Sequence, residues 1–135
     1  MIRLLYISQW EEGVTDDIVQ AILQSASRNN PPRGITGVLV YAGRVWAQVL
    51  EGPEQHVLQT YLTIAADKRH RDCRIVYVSM CGERIFNDTS LAALHALPLE
   101  MEHIAELDAH RKASVSPHAF TSLMSLFFSR LTPVG

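Results

Sequence analysis

The chain has few cysteines, little net charge and no long apolar run, and each shortage excludes a class of protein. Its 135 residues include two cysteines, Cys73 and Cys81, which have neither a CxxC pairing nor the spacing of zinc ligands. We therefore expect reduced thiols in a cytoplasmic protein. A formal net charge of −2 gives no general attraction to nucleic acid or acidic membranes. No apolar stretch reaches the roughly 20 residues that span a bilayer, so we expect no membrane association through a helical span.

The composition is that of a globular domain. Hydrophobic residues make up 47% of the chain and charged residues 19%. The length allows one domain with a substantial core but not two.

The hydrophobic pattern predicts strands at 2–8, 35–41, 44–51 and 74–81, separated by two helices and a tight turn at Ala42–Gly43. Thr15 is a good N-cap for the first helix. Because Pro31 disfavours helical geometry at the preceding residue, this helix should end near residues 28–30. The resulting order β-α-β-β-α-β predicts an α+β fold of the ferredoxin-like type.

The second helix should begin at Pro53, a favourable first helical residue. Its apolar residues predict an inward face composed of Val57, Leu58, Tyr61, Leu62 and Ala65.

The C-terminal third predicts a short fifth strand and two further helices. The strand should lie at 84–91, although 92–97 are compatible with a helix. One helix should occupy 100–113, and another should start at Ser116 and Pro117. Its apolar residues recur at helical spacing: Phe120, Leu123, Met124, Phe127 and Leu131. We expect these helices to cover the sheet face opposite the first two; a face that binds a partner protein is the alternative.

A polar residue interrupts the third strand. Gln48 lies among apolar neighbours, and each hydrogen-bonding group of a buried carboxamide left unpaired costs ~1–3 kcal/mol. Tyr6 on the first strand and Asn30 at the end of the first helix could converge with it in the groove between the helices. Ordinary roles remain open: Gln48 facing solvent, Tyr6 in the core and Asn30 capping its helix.

Four segments, RLLYIS, SRNNPPRGITGVLVY, WAQVLEGP and AADKRHRD, resemble the BLUF family of blue-light sensors that use FAD. The resemblance covers about residues 2–88, and Tyr6, Asn30 and Gln48 stand at the family's flavin-contacting positions without a gap. It implies a flavin-binding domain over 1–97 and a C-terminal helical extension over 98–135 packed on the same domain. It also implies a photoreceptor rather than an enzyme.

The resemblance further implies how the site works. In the family, blue light drives electron and proton transfer from the tyrosine to the flavin, and the glutamine then rearranges by rotation or tautomerisation. The photoactive residues would thus be Tyr6 and Gln48. The implied cofactor-binding set is Tyr6, Ile22, Asn29, Asn30, Trp46, Gln48, Asp67, Arg69 and His70.

Some members of this set match less firmly than others. Trp46 replaces the family's usual phenylalanine. Asp67, Arg69 and His70 match a DxRH motif near the ribityl and phosphate end of FAD, although electrostatics at a helix end would explain Arg69 and His70 equally well. Thr63 stands where some relatives carry an arginine, which weakens the case for a phosphate contact.

The segment RIFNDTSL departs from the family by placing Thr89 and Leu91 where a tryptophan and a methionine are usual. Leucine keeps the volume of methionine but loses its sulfur, and Thr89 loses a large aromatic group. We hypothesise that signal output or dark recovery is altered, whereas flavin binding is retained.

Because no effector domain accompanies the sensor in this sequence, we expect output through an unidentified downstream protein or through a change in a homo-oligomer. The last helix, with Phe120, Phe127 and Phe128, is the candidate surface. Two alternatives stay open. One is a light-blind flavin-binding or interaction module. The other is a small hydrolase of the acylphosphatase type, although SQWEEGV carries carboxylates where such chemistry needs a phosphate-binding loop with an arginine.

Overall fold

The computed structural model describes residues 1–113 and 118–131, which form five strands and four helices. The strands are β1 (Ile2–Trp10), β2 (Thr36–Ala42), β3 (Val45–Gly52), β4 (His70–Met80) and β5 (Ala92–His95). The helices are α1 (Asp16–Arg33), α2 (Glu54–Ala65), α3 (Pro98–Ala113) and α4 (His118–Leu131). The predicted β-α-β-β-α-β order is confirmed, and the fold is ferredoxin-like α+β.

The strands form one sheet in the order β4-β1-β3-β2-β5, antiparallel throughout except that β5 runs parallel to β2. Helices α1 and α2 lie on one face. On the other face Ile104 of α3 lies across from Leu5 and Val49. An ion pair between Arg74 and Asp108, with Nη2 and Oδ2 2.8 Å apart, joins α3 to β4. Among the described residues no helix is long and apolar enough to cross a membrane, and both cysteines are free thiols.

Helix α1 extends beyond its predicted end at residues 28–30. Pro31 and Pro32 lie in its last turn, and the helix stops at Gly34, whose φ of 67° suits the left-handed C-cap conformation. The backbone N–H groups of Gly34 and Ile35 donate to the carbonyls of Pro31 and Asn30, both at 3.0 Å. These cap bonds satisfy the last turn despite the prolines, so Asn30 is inside the helix and not its cap.

The second helix and the fourth strand also differ in detail from the prediction. Pro53 is the N-cap of α2, not its first residue, and Leu58 and Leu62 are exposed. The inward face instead includes Thr60, because the helix is rotated so that residues three and seven positions after Val57 point inward. Strand β4 begins at residue 70, four positions earlier than predicted, and the β2–β3 turn is Gly43–Arg44.

The predicted fifth strand at 84–91 is wrong, as is a helix over 92–97. The strand is Ala92–His95, and the preceding residues form turns and bends. Their backbone groups are bound individually: the N–H of Gly37 donates to the carbonyl of Thr89 at 3.1 Å. Gly37 cannot carry a side chain, since a Cβ there would lie 2.0 Å from the carbonyl oxygen of Val49.

The apolar stripe of α4 is exposed where its side chains are described, at Leu123, Met124, Phe127 and Leu131. The prediction that this stripe packs against the sheet is therefore wrong for those side chains. On the sheet face opposite α1 and α2, the helix in contact with the strands is α3. Ser116, Pro117 and the side chain of Phe120 lie outside the described residues.

A buried carboxylate fastens the segment before β5 to the sheet. Glu51 is 0% exposed. It accepts hydrogen bonds from Arg3 Nε at 3.1 Å and Thr36 Oγ1 at 2.9 Å, its cross-strand neighbours. The backbone N–H groups of Ile85 and Phe86 donate to it at 3.1 and 2.6 Å. Burial raises the pKa of Glu51, but these four donors outweigh burial and the pKa is lowered.

We expect Glu51→Ala to reduce the free energy of unfolding by about 2–5 kcal/mol, because it leaves buried donors without an acceptor. Urea unfolding at pH 7 measures this, with the exposed Glu12→Ala as control. Since the folded pKa of Glu51 is lowered, its contribution is fully present above the unfolded pKa and is lost as the pH falls through the folded value. The free energy of unfolding of Glu51→Ala should therefore fall less than that of the unaltered protein as the pH is lowered. Equal stability of Glu51→Ala and Glu12→Ala would contradict the role given to Glu51.

Candidate functional site

A cavity of about 280 Å³ lies between α1, α2 and the sheet. All nine side chains that the resemblance selected line it: Tyr6, Ile22, Asn29, Asn30, Trp46, Gln48, Asp67, Arg69 and His70. The structure thus brings together residues that are separated by up to 64 positions in the chain.

The floor of the cavity is a cross-strand pair. Tyr6 on β1 lies directly opposite Gln48 on β3, and Ser8 lies opposite Trp46. Because alternate residues of a strand point to the same face, these side chains all project towards α1 and α2. Tyr6 Oη donates a hydrogen bond to Gln48 Oε1, and Trp46 Nε1 donates to Tyr6 Oη at 2.9 Å. Gln48 is 4% exposed, so it does not face solvent.

Tyr6 holds its proton firmly. The side chain is 0% exposed, and burial raises the pKa of its hydroxyl well above 10, while the hydrogen bond from Trp46 lowers the pKa only in part. The cavity therefore contains a neutral phenol whose single proton is directed at a carboxamide oxygen.

Two amides complete the polar lining. Asn30 Nδ2 donates to the backbone carbonyl of Ser90 at 2.7 Å, which leaves Oδ1 without a partner among the described residues. Gln48 Nε2 likewise has no partner in that part of the chain. Thr60 also lines the cavity, and its buried hydroxyl is unpaired within the described residues. The cavity thus offers a carbonyl acceptor and an amide donor to a ligand.

On the α1 side of the cavity, Asn29 and Ile22 contribute little to the polar lining. Asn29 is exposed, and its Nδ2 donates to Ser25 Oγ at 3.1 Å. Ile22 is half-buried and packs against the core. These two side chains border the cavity without entering the hydrogen-bond network of Tyr6 and Gln48.

An ion pair stands at the edge of the cavity. Arg69 Nη2 lies 2.6 Å from Asp67 Oδ2, and Arg69 Nε lies 3.0 Å from Oδ1. The hydrogen bond from the Arg69 side chain lowers the pKa of Asp67 to about 2. The guanidinium also lies 5.1 Å from the centre of the Trp10 ring. The Arg69 charge is therefore already compensated by a carboxylate.

His70 is part of the cavity wall, not of a helix end. Helix α2 stops at Ala65, and His70 opens β4. Its Nδ1 lies 2.6 Å from Ser8 Oγ, and its ring packs edge-on against Trp46, with centroids 5.5 Å apart. Burial lowers the pKa of His70, which favours the neutral imidazole.

Six further cavity residues were not predicted from the sequence, and all of them lie on α1 or α2. They are Ala21, Ser25, Ala26, Arg33, Thr60 and Ile64. The spacing of Ser25, Asn29 and Arg33 at every fourth residue could have indicated a shared helix face. Thr63 and Leu91 also line the cavity, whereas Thr89 does not; its hydroxyl donates to the Asn87 carbonyl at 3.2 Å.

The chain is similar in sequence to subunits of photoactivated adenylate cyclases. The chain is 36% identical over 83 residues to photoactivated adenylate cyclase subunit beta of Euglena gracilis, covering 62% of this chain and 10% of that protein. It is 36% identical over 86 residues to subunit alpha of the same organism, covering 64% of this chain and 8% of that protein. The chain thus spans about a tenth of the length of these curated relatives.

Two solved structures are similar over most of both chains. BlrB, a BLUF protein in its dark state, has a TM-score of 0.63 and 28% identity over 85% of this chain and 84% of that one. BlsA in its photo-activated state has a TM-score of 0.66 and 25% identity over 90% of this chain and 89% of that one.

The family model for sensors of blue-light using FAD matches residues 1–92, a span that includes both strands of the Tyr6–Gln48 pair and every residue lining the cavity. The chain belongs to the BLUF family.

Proposed function

We propose that this chain is a blue-light photoreceptor that binds FAD non-covalently in the cavity and responds through the Tyr6–Gln48 hydrogen bond. The observation that carries the proposal is this bond itself, buried in a cavity that also presents the amide of Asn30. Membership of the BLUF family gives the cofactor and the stimulus.

The cavity fits the ring system of a flavin better than the whole of FAD. Its volume of about 280 Å³ lies just below the roughly 300–1,000 Å³ that is usual for ligand pockets. The unpaired Oδ1 of Asn30 can accept from a ring N–H, and Nε2 of Gln48 can donate to a ring nitrogen or carbonyl.

The ribityl and phosphate end would lie near the edge formed by Asp67, Arg69 and His70. Arg69 is largely exposed there, and Arg33 of α1 adds a second cation to the cavity lining. Because Asp67 already neutralises Arg69, we expect these contacts to contribute less to affinity than the contacts to the ring.

Bound flavin supplies absorption of blue light and an acceptor for electrons. The chain supplies the proton and its route. Tyr6 keeps its proton on Oη because burial raises its pKa, and water has no access to that oxygen. Among the described residues the acceptor that faces this proton is Gln48 Oε1. Rotation of, or a proton shift within, the Gln48 carboxamide then exchanges a donor for an acceptor between Tyr6 and the cavity.

The proposal extends to signal output. Asn30 is bonded to the carbonyl of Ser90, so a change in the cavity acts directly on the segment before β5. The exposed Phe127 and Phe128 of α4 support contact with an unidentified downstream protein or with a second copy in a homo-oligomer. We propose a flavin-binding unit over 1–97 with 98–135 packed on it through α3, in a cytoplasmic sensor that is not itself an enzyme. The ion pair of Arg74 with Asp108 supports this packing.

The first expectation is a bound-flavin absorption spectrum that shifts to the red under blue light and relaxes in darkness. Tyr6→Phe and Gln48→Leu should each retain flavin but lose the reversible shift, because each removes one end of the buried bond. Tyr61→Phe is the matched control, since its ring lies 5.4 Å from that of Tyr6 but does not line the cavity. Flavin without a shift in the unaltered protein would favour a light-blind module, and a protein that takes up no FAD would overturn the proposal.

Neighbouring asparagines provide a second test. We expect Asn30→Ala to weaken FAD binding by about tenfold or more, because it removes a buried acceptor worth ~1–2 kcal/mol. Asn29→Ala should cost less than about threefold, since Asn29 is exposed and already bonded to Ser25. Titration of flavin fluorescence measures both variants. Equal losses would show that burial of Asn30 is not what matters for binding.

Thr89 and Leu91, which stand where the family usually has tryptophan and methionine, should not affect dark recovery equally. We expect Leu91→Met to change the rate of dark recovery, because Leu91 lines the cavity. Thr89→Trp should have the smaller effect, since Thr89 lies outside the lining. Flash photolysis of both single variants and the double variant measures this. If the double variant recovers at the unaltered rate, neither departure tunes the cycle.

A further inference from the structure

Trp46 does more than fill the place of a phenylalanine. Its indole Nε1 donates to Tyr6 Oη at 2.9 Å, and both side chains are almost fully buried. We propose that Trp46 is a positioning residue for the photoactive pair: its N–H fixes the direction of the Tyr6 proton and shortens the lifetime of the light-activated state. This inference rests on the proposed function and adds a residue that regulates it.

The hydrogen-bonding capacity of a phenol explains how Trp46 fixes the direction of the Tyr6 proton. Tyr6 has one O–H and an oxygen that accepts hydrogen bonds. The indole N–H of Trp46 occupies the accepting side, so the hydroxyl hydrogen is directed to the remaining partner, Gln48 Oε1. A phenylalanine at position 46 has no donor and would leave the hydroxyl free to turn.

The indole is itself held in place. Its ring packs on that of Trp10, with centroids 5.0 Å apart and planes inclined by 30°. His70 packs edge-on against it at 5.5 Å and is bonded to Ser8, the cross-strand neighbour of Trp46. A side chain packed on two sides keeps its N–H aimed at Tyr6 while other groups move.

The effect of Trp46 on the lifetime of the light-activated state follows from the hydrogen-bond donors around Tyr6. Rotation of the Gln48 amide exchanges Oε1 for Nε2 opposite Tyr6. The phenol oxygen then faces two N–H groups, from Trp46 and Gln48, and its own proton has lost its acceptor. A buried donor without an acceptor is unfavourable. Because the indole N–H occupies the other side of Oη, the hydroxyl cannot turn away from Nε2. Trp46 thus makes the state reached by rotation less favourable than a phenylalanine at this position would, and we expect it to lower the barrier to return.

The hydrogen bond can be tested by NMR without any flavin. The chain has two tryptophans, and the buried indole N–H of Trp10 has no partner within the described residues. The full chain, labelled with ¹⁵N, should therefore give one hydrogen-bonded and one free indole signal, assigned with Trp10→Phe. Tyr6→Phe keeps the aromatic ring and removes the acceptor, so it should move the Trp46 signal upfield and the Trp10 signal much less. Equal movement of the two signals would overturn the assignment.

The lifetime is tested by dark recovery of the flavin-loaded protein. We expect Trp46→Phe to slow recovery about three- to tenfold, the upper value corresponding to ~1.4 kcal/mol. Trp10→Phe keeps an aromatic ring against the indole and leaves the N–H of Trp46 in place, so recovery should stay within about twofold. Unchanged or faster recovery in Trp46→Phe would overturn the proposal.

An isosteric replacement separates the hydrogen bond from packing. Benzothienylalanine at position 46, incorporated in the Trp10→Phe background, replaces the indole N–H by sulfur at nearly the same size. It should slow recovery as Trp46→Phe does; recovery at the rate of Trp10→Phe would show that the effect is steric and the proposal wrong. If the unaltered protein has a photocycle and Trp46→Phe recovers at the same rate, only the role of Trp46 is refuted. If the unaltered protein has no photocycle, the proposed function and the lifetime effect are refuted together.

Discussion

The site depends on the register between β1 and β3. Tyr6 pairs with Gln48 and Ser8 with Trp46, so four side chains of one network occupy adjacent cross-strand positions on one face. A slip of one residue would turn all of them to the other face. Both strands are internal to the sheet, with β1 between β4 and β3 and β3 between β1 and β2, and the close approach at Gly37 fixes β2 against β3. The Tyr6–Gln48 hydrogen bond is thus built on two internal strands whose register is fixed on both sides.

The sequence predicted the elements whose causes are local. Thr15 caps α1 as expected, with its Oγ1 accepting from the Ile18 N–H at 3.4 Å. The alternation of strands and the convergence of Tyr6, Asn30 and Gln48 were also predictable, from periodicity and from the resemblance. The local rule for Pro31 failed because the cap at Gly34 satisfies the last turn of α1 beyond the prolines.

Other features could not be predicted because their partners are distant in the chain. The segment before β5 takes its shape from Glu51, whose backbone donors lie 34 and 35 residues away. The bond from Trp46 to Tyr6 spans 40 residues and exists only in the observed register. From the sequence, Trp46 was a conservative exchange for phenylalanine, because nothing there shows that its N–H lies beside the Tyr6 hydroxyl.

Two polar networks on β3 lie on opposite faces of the sheet and are joined by one segment of the chain. Gln48 faces α1 and α2, whereas Glu51 pairs with Arg3 and Thr36 on the opposite face. The segment between β4 and β5 connects them, because it is bound to Glu51 near its start and to Asn30, through Ser90, near its end. The same segment is also held by the Thr89 carbonyl, which accepts from the Gly37 N–H, and by Arg84, which donates to the carbonyls of Gly34 and Glu51. Helix α3 lies on the sheet face that carries Glu51. Two internal strands therefore hold the Tyr6–Gln48 pair, and an irregular segment bound to both polar networks links the cavity with the opposite face.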